Sequence, residues 1–134
     1  MLQQLIYMSA SAKALTTEDL EQILNASRRN NLEKHITGLL VVKGEMFLQV
    51  LEGDSEDIKP LFQKLRDDQR HREISIISWD TIENRNFPDW SMGFKNLSTI
   101  PHHSQLLDLS QLDVSKLATT PSLVSELIQE LLNL

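Results

Sequence analysis

The sequence predicts an α+β fold in which a mixed β-sheet carries helices on both faces. Three observations lead there. Short segments with apolar residues at every second position sit between segments whose apolar residues recur every three or four positions. The strand signals are paired around the helix signals instead of alternating strictly with them, which favours α+β over a parallel α/β sheet. Several strands are apolar on both sides, so both sheet faces need cover.

Residues 3–9 read as a first strand, with Leu5 and Tyr7 on one face and Ile6 and Met8 on the other. Thr16-Thr-Glu-Asp19 has the pattern of a capping box and opens a helix. Leu20, Ile23, Leu24 and Ser27 follow at helical spacing, and Asn31 continues that line. Asn30-Asn31 is expected to end the helix, because Asn tolerates left-handed backbone. Two apolar strands, 36–42 and 46–52, are joined around Lys43-Gly44, where Gly supplies a positive φ. Gly53-Asp54-Ser55 caps a second helix with the stripe Ile58, Leu61, Phe62 and Leu65, and Pro60 is expected within its first turn. Strands at 73–82 and 91–97 follow, separated by the polar loop 83–89.

The order β-α-β-β-α-β-β predicts a ferredoxin-like sandwich: a five-stranded mixed sheet with both helices on one face. Ile6, Met8, Met46, Leu48 and Val50 would then lie open on the other face. The tail can cover them. Residues 102–118 suggest one or two short helical turns, and Thr120-Pro121 starts a helix with Thr as N-cap and Pro at its first position. Its stripe, Leu123, Val124, Leu127, Ile128, Leu131 and Leu132, either caps the sheet or meets another subunit. The chain accordingly divides into a domain over residues 1–98 and a C-terminal helical extension over 99–134, which packs on the sheet or mediates oligomerisation.

Composition narrows the function. A length of 134 residues suits one domain with a short appendage. The net charge of −6 argues against nucleic-acid binding, which needs clustered cations. The basic pair Arg28-Arg29 reads as a complement to the negative end of the first helix. No cysteine is present, which removes disulfides, thiolate nucleophiles and cysteine metal sites. The apolar runs are too short for a membrane span, and the N-terminus lacks the basic start of a secretory signal, so a cytoplasmic location is expected. His71, His102 and His103 lack the additional ligands of a closed metal site, and no metal is expected. Neither a nucleophile elbow nor a Gly-rich phosphate loop occurs.

Gln49 lies in Met46-Phe-Leu-Gln-Val-Leu51, on the face shared by Phe47 and Leu51. A buried amide without partners costs about 1–3 kcal/mol, so a polar group must meet it. Tyr7 is the sole tyrosine, in an otherwise apolar strand, and a buried phenol normally finds a partner. The crossover makes strand one and the Gln49 strand neighbours, so a Tyr7–Gln49 bond follows if both face the helices. Each residue alone is better explained as a core polar group with a structural hydrogen bond. Asn31 on helix one, with Lys64 and Asp68 on helix two, would surround an apolar slot lined by Ile23 and Leu65. Such a slot suits a flat apolar ligand with a polar edge.

Six stretches resemble the BLUF family, sensors of blue light using flavin: Leu5-Ile-Tyr-Met-Ser9, Ser27-Arg-Arg-Asn-Asn31, Ile36-Thr-Gly-Leu-Leu40, Phe47-Leu-Gln-Val-Leu-Glu-Gly53, Asp68-Gln-Arg-His71 and Trp90-Ser-Met-Gly-Phe94. The resemblance spans residues 3–97, in order and in register, and looks like the short stand-alone members. It implies an isoalloxazine ring between the two helices, with Asn31 on its C4 carbonyl and N3 edge and Asn30 close by. Gln49 would stand between the ring and the Tyr7 hydroxyl, with Asp68 and Lys64 near the pyrimidine side. Ile23 and Leu65 would sandwich the ring, Ser27 would lie near it, and Arg70 and His71 would approach the ribityl or phosphate groups. The implied photochemistry is reversible electron and proton transfer from Tyr7, which leaves Gln49 rotated or tautomerised and the absorption red-shifted. Trp90 and Met92 would relay the change to the sheet, the tail and a downstream partner protein.

FAD is the flavin the resemblance implies, with FMN or riboflavin as alternatives, and a homo-oligomer is expected. The competing expectation is a ferredoxin-like flavin-dependent oxidoreductase using the same slot. A purely structural module would leave Tyr7 and Gln49 as satisfied core polars.

Overall fold

The computed structural model describes residues 1–11, 16–68, 71–89, 92–97 and 113–134, with His71 described by its backbone alone. In chain order the elements are β1 (Leu2–Ser11), α1 (Thr17–Glu33), β2 (Thr37–Lys43), β3 (Met46–Asp54), α2 (Ser55–Asp67), β4 (His71–Thr81), β5 (Gly93–Asn96), α3 (Val114–Thr119) and α4 (Pro121–Leu132). The sheet order is β4-β1-β3-β2-β5. Among the described residues only the β2–β5 pair is parallel, so the sheet is mixed as expected. The β2–β3 hairpin turns through Gly44 at φ 61°, and β3 inserts between β1 and β2. That insertion sets Tyr7 directly opposite Gln49.

Alternation along the strands divides the core into two layers. Leu5, Tyr7, Leu40, Phe47 and Leu51 pack with Leu24 of α1 and with Ile58 and Phe62 of α2. On the opposite face Ile6, Met8, Leu48 and Val50 pack with Leu117 of α3 and with Leu127, Ile128 and Leu131 of α4. Within the chain most of the tail stripe lies on the sheet face, with Leu127, Ile128 and Leu131 buried there and Leu132 left exposed. The physical reason is area: several large apolar side chains would otherwise meet water at about 25 cal/mol per Å².

Four local expectations are corrected. Helix α1 runs past Asn30-Asn31 to Glu33, and the left-handed residue is His35, at φ 54°. Asn31 is only 2% exposed, so it belongs to the buried face of the helix instead of closing it. Pro60 sits in the interior of α2, beyond its first turn. The position is exposed, so the carbonyl left without an intrahelical donor can meet water. Thr120 precedes Pro121 as expected but makes no side-chain capping bond. It is also the C-cap of α3, and its backbone N–H donates to the Leu117 carbonyl. The loop 83–89 is not uniformly polar in its placement, since Phe87 is buried among the tail-side apolar residues.

Candidate functional site

Strand alternation points Tyr7 and Gln49 at α1 and α2 from adjacent strands. The Tyr7 hydroxyl donates to Gln49 Oε1. The other end of the amide, Nε2, donates to the Met92 thioether sulfur at 3.5 Å, a weak acceptor. Tyr7 is 1% exposed and Gln49 is 7% exposed. Burial, and then the negative charge of Asp68, push the Tyr7 phenol above its usual pKa, so it stays a neutral donor. The Tyr7 ring meets Phe62 edge-on at 5.9 Å, and Phe62 meets Trp79 at 5.3 Å. The Trp79 indole N–H donates to Gln3 Oε1 at 2.9 Å, which gives this tryptophan a structural place in the same layer.

Above the pair lies a cleft of about 160 Å³ between the two helices. Helix α1 contributes Ile23, Ser27, Asn30 and Asn31 to its lining; α2 and its C-cap contribute Lys64, Leu65 and Asp68; Gln49 forms part of its base. Sites that enclose a whole drug-sized ligand are commonly about 300–1,000 Å³. This narrower space suits one flat ring system with the rest of the molecule outside. Two larger hollows, about 520 and 420 Å³, do not include Gln49. The chemistry therefore points to the smaller cleft.

The donor set fits a flavin ring. Ile23, Leu51, Leu61 and Leu65 supply apolar surface, while Asn30, Asn31, Gln49, Lys64 and Asp68 supply polar edges. Gln49 Nε2 is the telling atom: it is a buried donor whose acceptor among the described residues is a thioether. An acceptor on the edge of a bound ring would complete it.

Of the expected cofactor-binding residues, Ile23, Ser27, Asn30, Asn31, Gln49, Lys64, Leu65 and Asp68 come together at this cleft. Tyr7 lies behind Gln49, and Met92 lies just before β5. Arg70 and Trp90 lie outside the described residues. His71 begins β4, paired with Ser11. The sequence reading missed Ala26, Leu51 and Leu61 as lining residues, although Leu51 shares Gln49's face, Ala26 lies one turn from Ile23 and Leu61 one turn from Leu65. It also misplaced Arg28. Because α1 continues to Glu33, Arg28 is not in its last turn, and its Nε donates to the Met92 carbonyl at 3.0 Å. The signal was its spacing from Leu24 and Asn31, which sets it beside the cleft-facing stripe.

A buried tyrosine–glutamine pair under a two-helix cleft defines a class of domain that binds a flat ring and reads its state through hydrogen bonds. The family model "BLUF: Sensors of blue-light using FAD" matches residues 2–93. The chain belongs to this BLUF family of flavin-binding blue-light sensors. Photoactivated adenylate cyclase subunit beta of Euglena gracilis is 28% identical over 92 residues, covering 68% of this chain and 11% of that protein. The chain thus spans about a tenth of that relative's length. The BLUF protein BlrB, in its dark state, is similar in structure with a TM-score of 0.83 at 34% identity, covering 98% of this chain and 96% of that one. BlrP1 of Klebsiella pneumoniae, solved with FMN and cyclic diGMP, gives a TM-score of 0.73 at 28% identity, covering 96% of this chain and 35% of that one.

Proposed function

We propose that the chain senses blue light without catalytic turnover and passes its state to a downstream signalling protein by protein–protein contact. The observation that carries this reading is the hydrogen-bond chain Tyr7–Gln49–Met92 at the base of the cleft. A bound flavin supplies blue-light absorption and, when excited, a one-electron oxidant for Tyr7. An oxidised phenol cannot keep its proton, and Tyr7 holds that proton against Gln49 Oε1. The proton moves to Oε1 as the electron leaves and comes back when Tyr7 is reduced again.

Gln49 is the element with two states. Its terminal amide is a roughly two-fold rotor, so a half-turn exchanges Oε1 and Nε2. In the rotated state Nε2 faces the Tyr7 oxygen and Oε1 faces the Met92 sulfur, where no donor awaits it. The Gln49–Met92 contact is then lost, and the segment entering β5 registers the change. Trp90 and Met92 relay it toward the sheet and tail.

We assign the ring contacts to Ile23, Ser27, Asn30, Asn31, Gln49, Lys64, Leu65 and Asp68. FAD is the proposed cofactor, following the family's own description; FMN presents the same ring to the same residues. Arg70 and His71 are proposed to meet the groups beyond the ring. A cytoplasmic location belongs to this proposal; among the described residues no helix is long and apolar enough to cross a membrane. A homo-oligomer is proposed too, formed through surfaces other than the α4 stripe that covers the sheet. Absorption spectra before and after blue light test the proposal. The purified protein should be yellow and shift reversibly to longer wavelength. A colourless protein that takes up no flavin on reconstitution overturns the reading.

A further inference from the structure

We propose that Glu52 is a positioning residue that couples the Gln49–Met92 contact to the tail helices, a role that rests on the photosensory reading above. Glu52 is fully buried. It stands three residues beyond Gln49 on β3, on the opposite face of the sheet. Oε2 accepts from Gln4 Nε2 at 2.9 Å, from the Asn86 backbone N–H at 3.0 Å and from Asn86 Nδ2 at 3.3 Å. Oε1 accepts from the Phe87 backbone N–H at 2.8 Å. Among the described residues every partner of its side chain is an N–H donor, a set matched to a carboxylate that only accepts. Nothing in the photochemistry above uses this group.

Its partners show what it positions. Gln4 lies directly opposite Glu52 in the β1–β3 register, so one arm of the network is the central sheet. The other arm is the segment 85–87. Arg85 adds to it by donating to the Glu52 carbonyl at 2.6 Å and to Thr37 Oγ1 at 2.9 Å. Phe87, thus oriented, joins the apolar layer that includes Leu117 of α3 and Leu127 and Leu131 of α4. Only residues 88–91 separate it in the chain from Met92, which Gln49 and Arg28 hold from the other side of the sheet.

One strand therefore grips both ends of this connection: Gln49 at Met92 and Glu52 at Asn86 and Phe87. A short segment pinned at Phe87 conveys a displacement of Met92 to the tail layer, because a packed core resists continuous deformation. A slack segment absorbs the displacement instead. Apolar packing alone would bury Phe87, but it would not fix the backbone of residues 86 and 87 to β3. The carboxylate does so through directional bonds.

Glu52→Gln tests the proposal. It keeps the shape but sets an amide donor against N–H donors. The flavin-loaded full chain is compared in dark and light by absorption and by backbone hydrogen exchange. In the wild type, blue light should produce the red shift and change exchange in α3 and α4. In Glu52→Gln the red shift should persist at wild-type size while the light–dark difference in α3 and α4 is lost. A variant that retains that difference at wild-type size overturns the proposal, as does a wild type that shifts its absorption but shows no exchange change there. A wild type with no red shift defeats the photosensory reading instead, and the absorption arm identifies that case. Should Glu52→Gln fail to fold, Asn86→Asp decides. It places a like charge against Glu52 from an exposed position, and the same two outcomes apply.

Discussion

Replacing Tyr7 by Phe removes one oxygen and leaves the ring where it is. The edge-on contact with Phe62 survives, so the loss is confined to the hydrogen bond to Gln49 Oε1. That acceptor is then buried without its donor, since Gln49 is only 7% exposed. An orphaned neutral acceptor costs about 1–3 kcal/mol. For a chain of 134 residues, 1 kcal/mol corresponds to about 4 °C in melting temperature, so flavin-free Tyr7→Phe should melt about 4–12 °C below wild type. Adding Gln49→Leu should recover most of that loss, because removing both partners of a buried bond is nearly neutral. In the flavin-loaded protein Tyr7→Phe should keep its yellow colour and lose the light-induced shift. Thermal melts and light–dark spectra read the two effects separately. A variant that melts with the wild type refutes the buried bond; one that keeps a full shift refutes the role of the phenol.

Three further outcomes are expected. Asn31→Ala should weaken flavin binding by about 5- to 150-fold, equivalent to 1–3 kcal/mol, in a fluorescence titration of flavin-free protein; an unchanged Kd would remove Asn31 from the ring contacts. Because the folded-state pKa of Tyr7 is raised, its contribution to stability is complete below the ordinary phenol value of 10.0 and falls as pH rises above it, by up to about 1.4 kcal/mol per pH unit. Urea unfolding above pH 10 should show this slope in the wild type and not in Tyr7→Phe. A phenolate absorbance that appears in the native protein at the ordinary value would contradict the burial. Gly38→Ala should be severely destabilising, since its Cβ would stand 1.9 Å from the Val50 carbonyl oxygen of β3. The overpacking cost is at least about 1–3 kcal/mol, and an unchanged urea midpoint would mean that the strands part without penalty.

Much of the fold was legible because its signals are local. Thr16 and Asp19 do form a reciprocal cap, Gly44 does turn the hairpin, and the two-residue period does sort the strands into two layers. What misled was context: the tolerance of Asn for helix ends was outweighed at Asn31 by burial of its face, which carried α1 on to Glu33. For the site, the residue types and their faces were readable, and those calculated faces placed Asn31, Gln49, Lys64 and Asp68 around one cleft. Arg28 was misread for want of the helix's true end, and Glu52 went unnoticed inside an apolar strand pattern.

The sequence by itself determined which residues could face each other: Tyr7 and Gln49 as polar positions on strands turned toward two helices, and a tail stripe in need of an apolar surface. Periodicity and capping suffice for that, because they depend on neighbours a few positions apart. Only the tertiary structure decided the register in which β3 meets β1, setting Gln49 directly opposite Tyr7, and brought Met92 and Arg28 to the same point. It alone joined Glu52 to a loop 34 residues away. Contacts of that kind arise from packing one layer against another: the two-residue period fixes the face a residue takes, but which distant residue it meets there is settled only when the layers close.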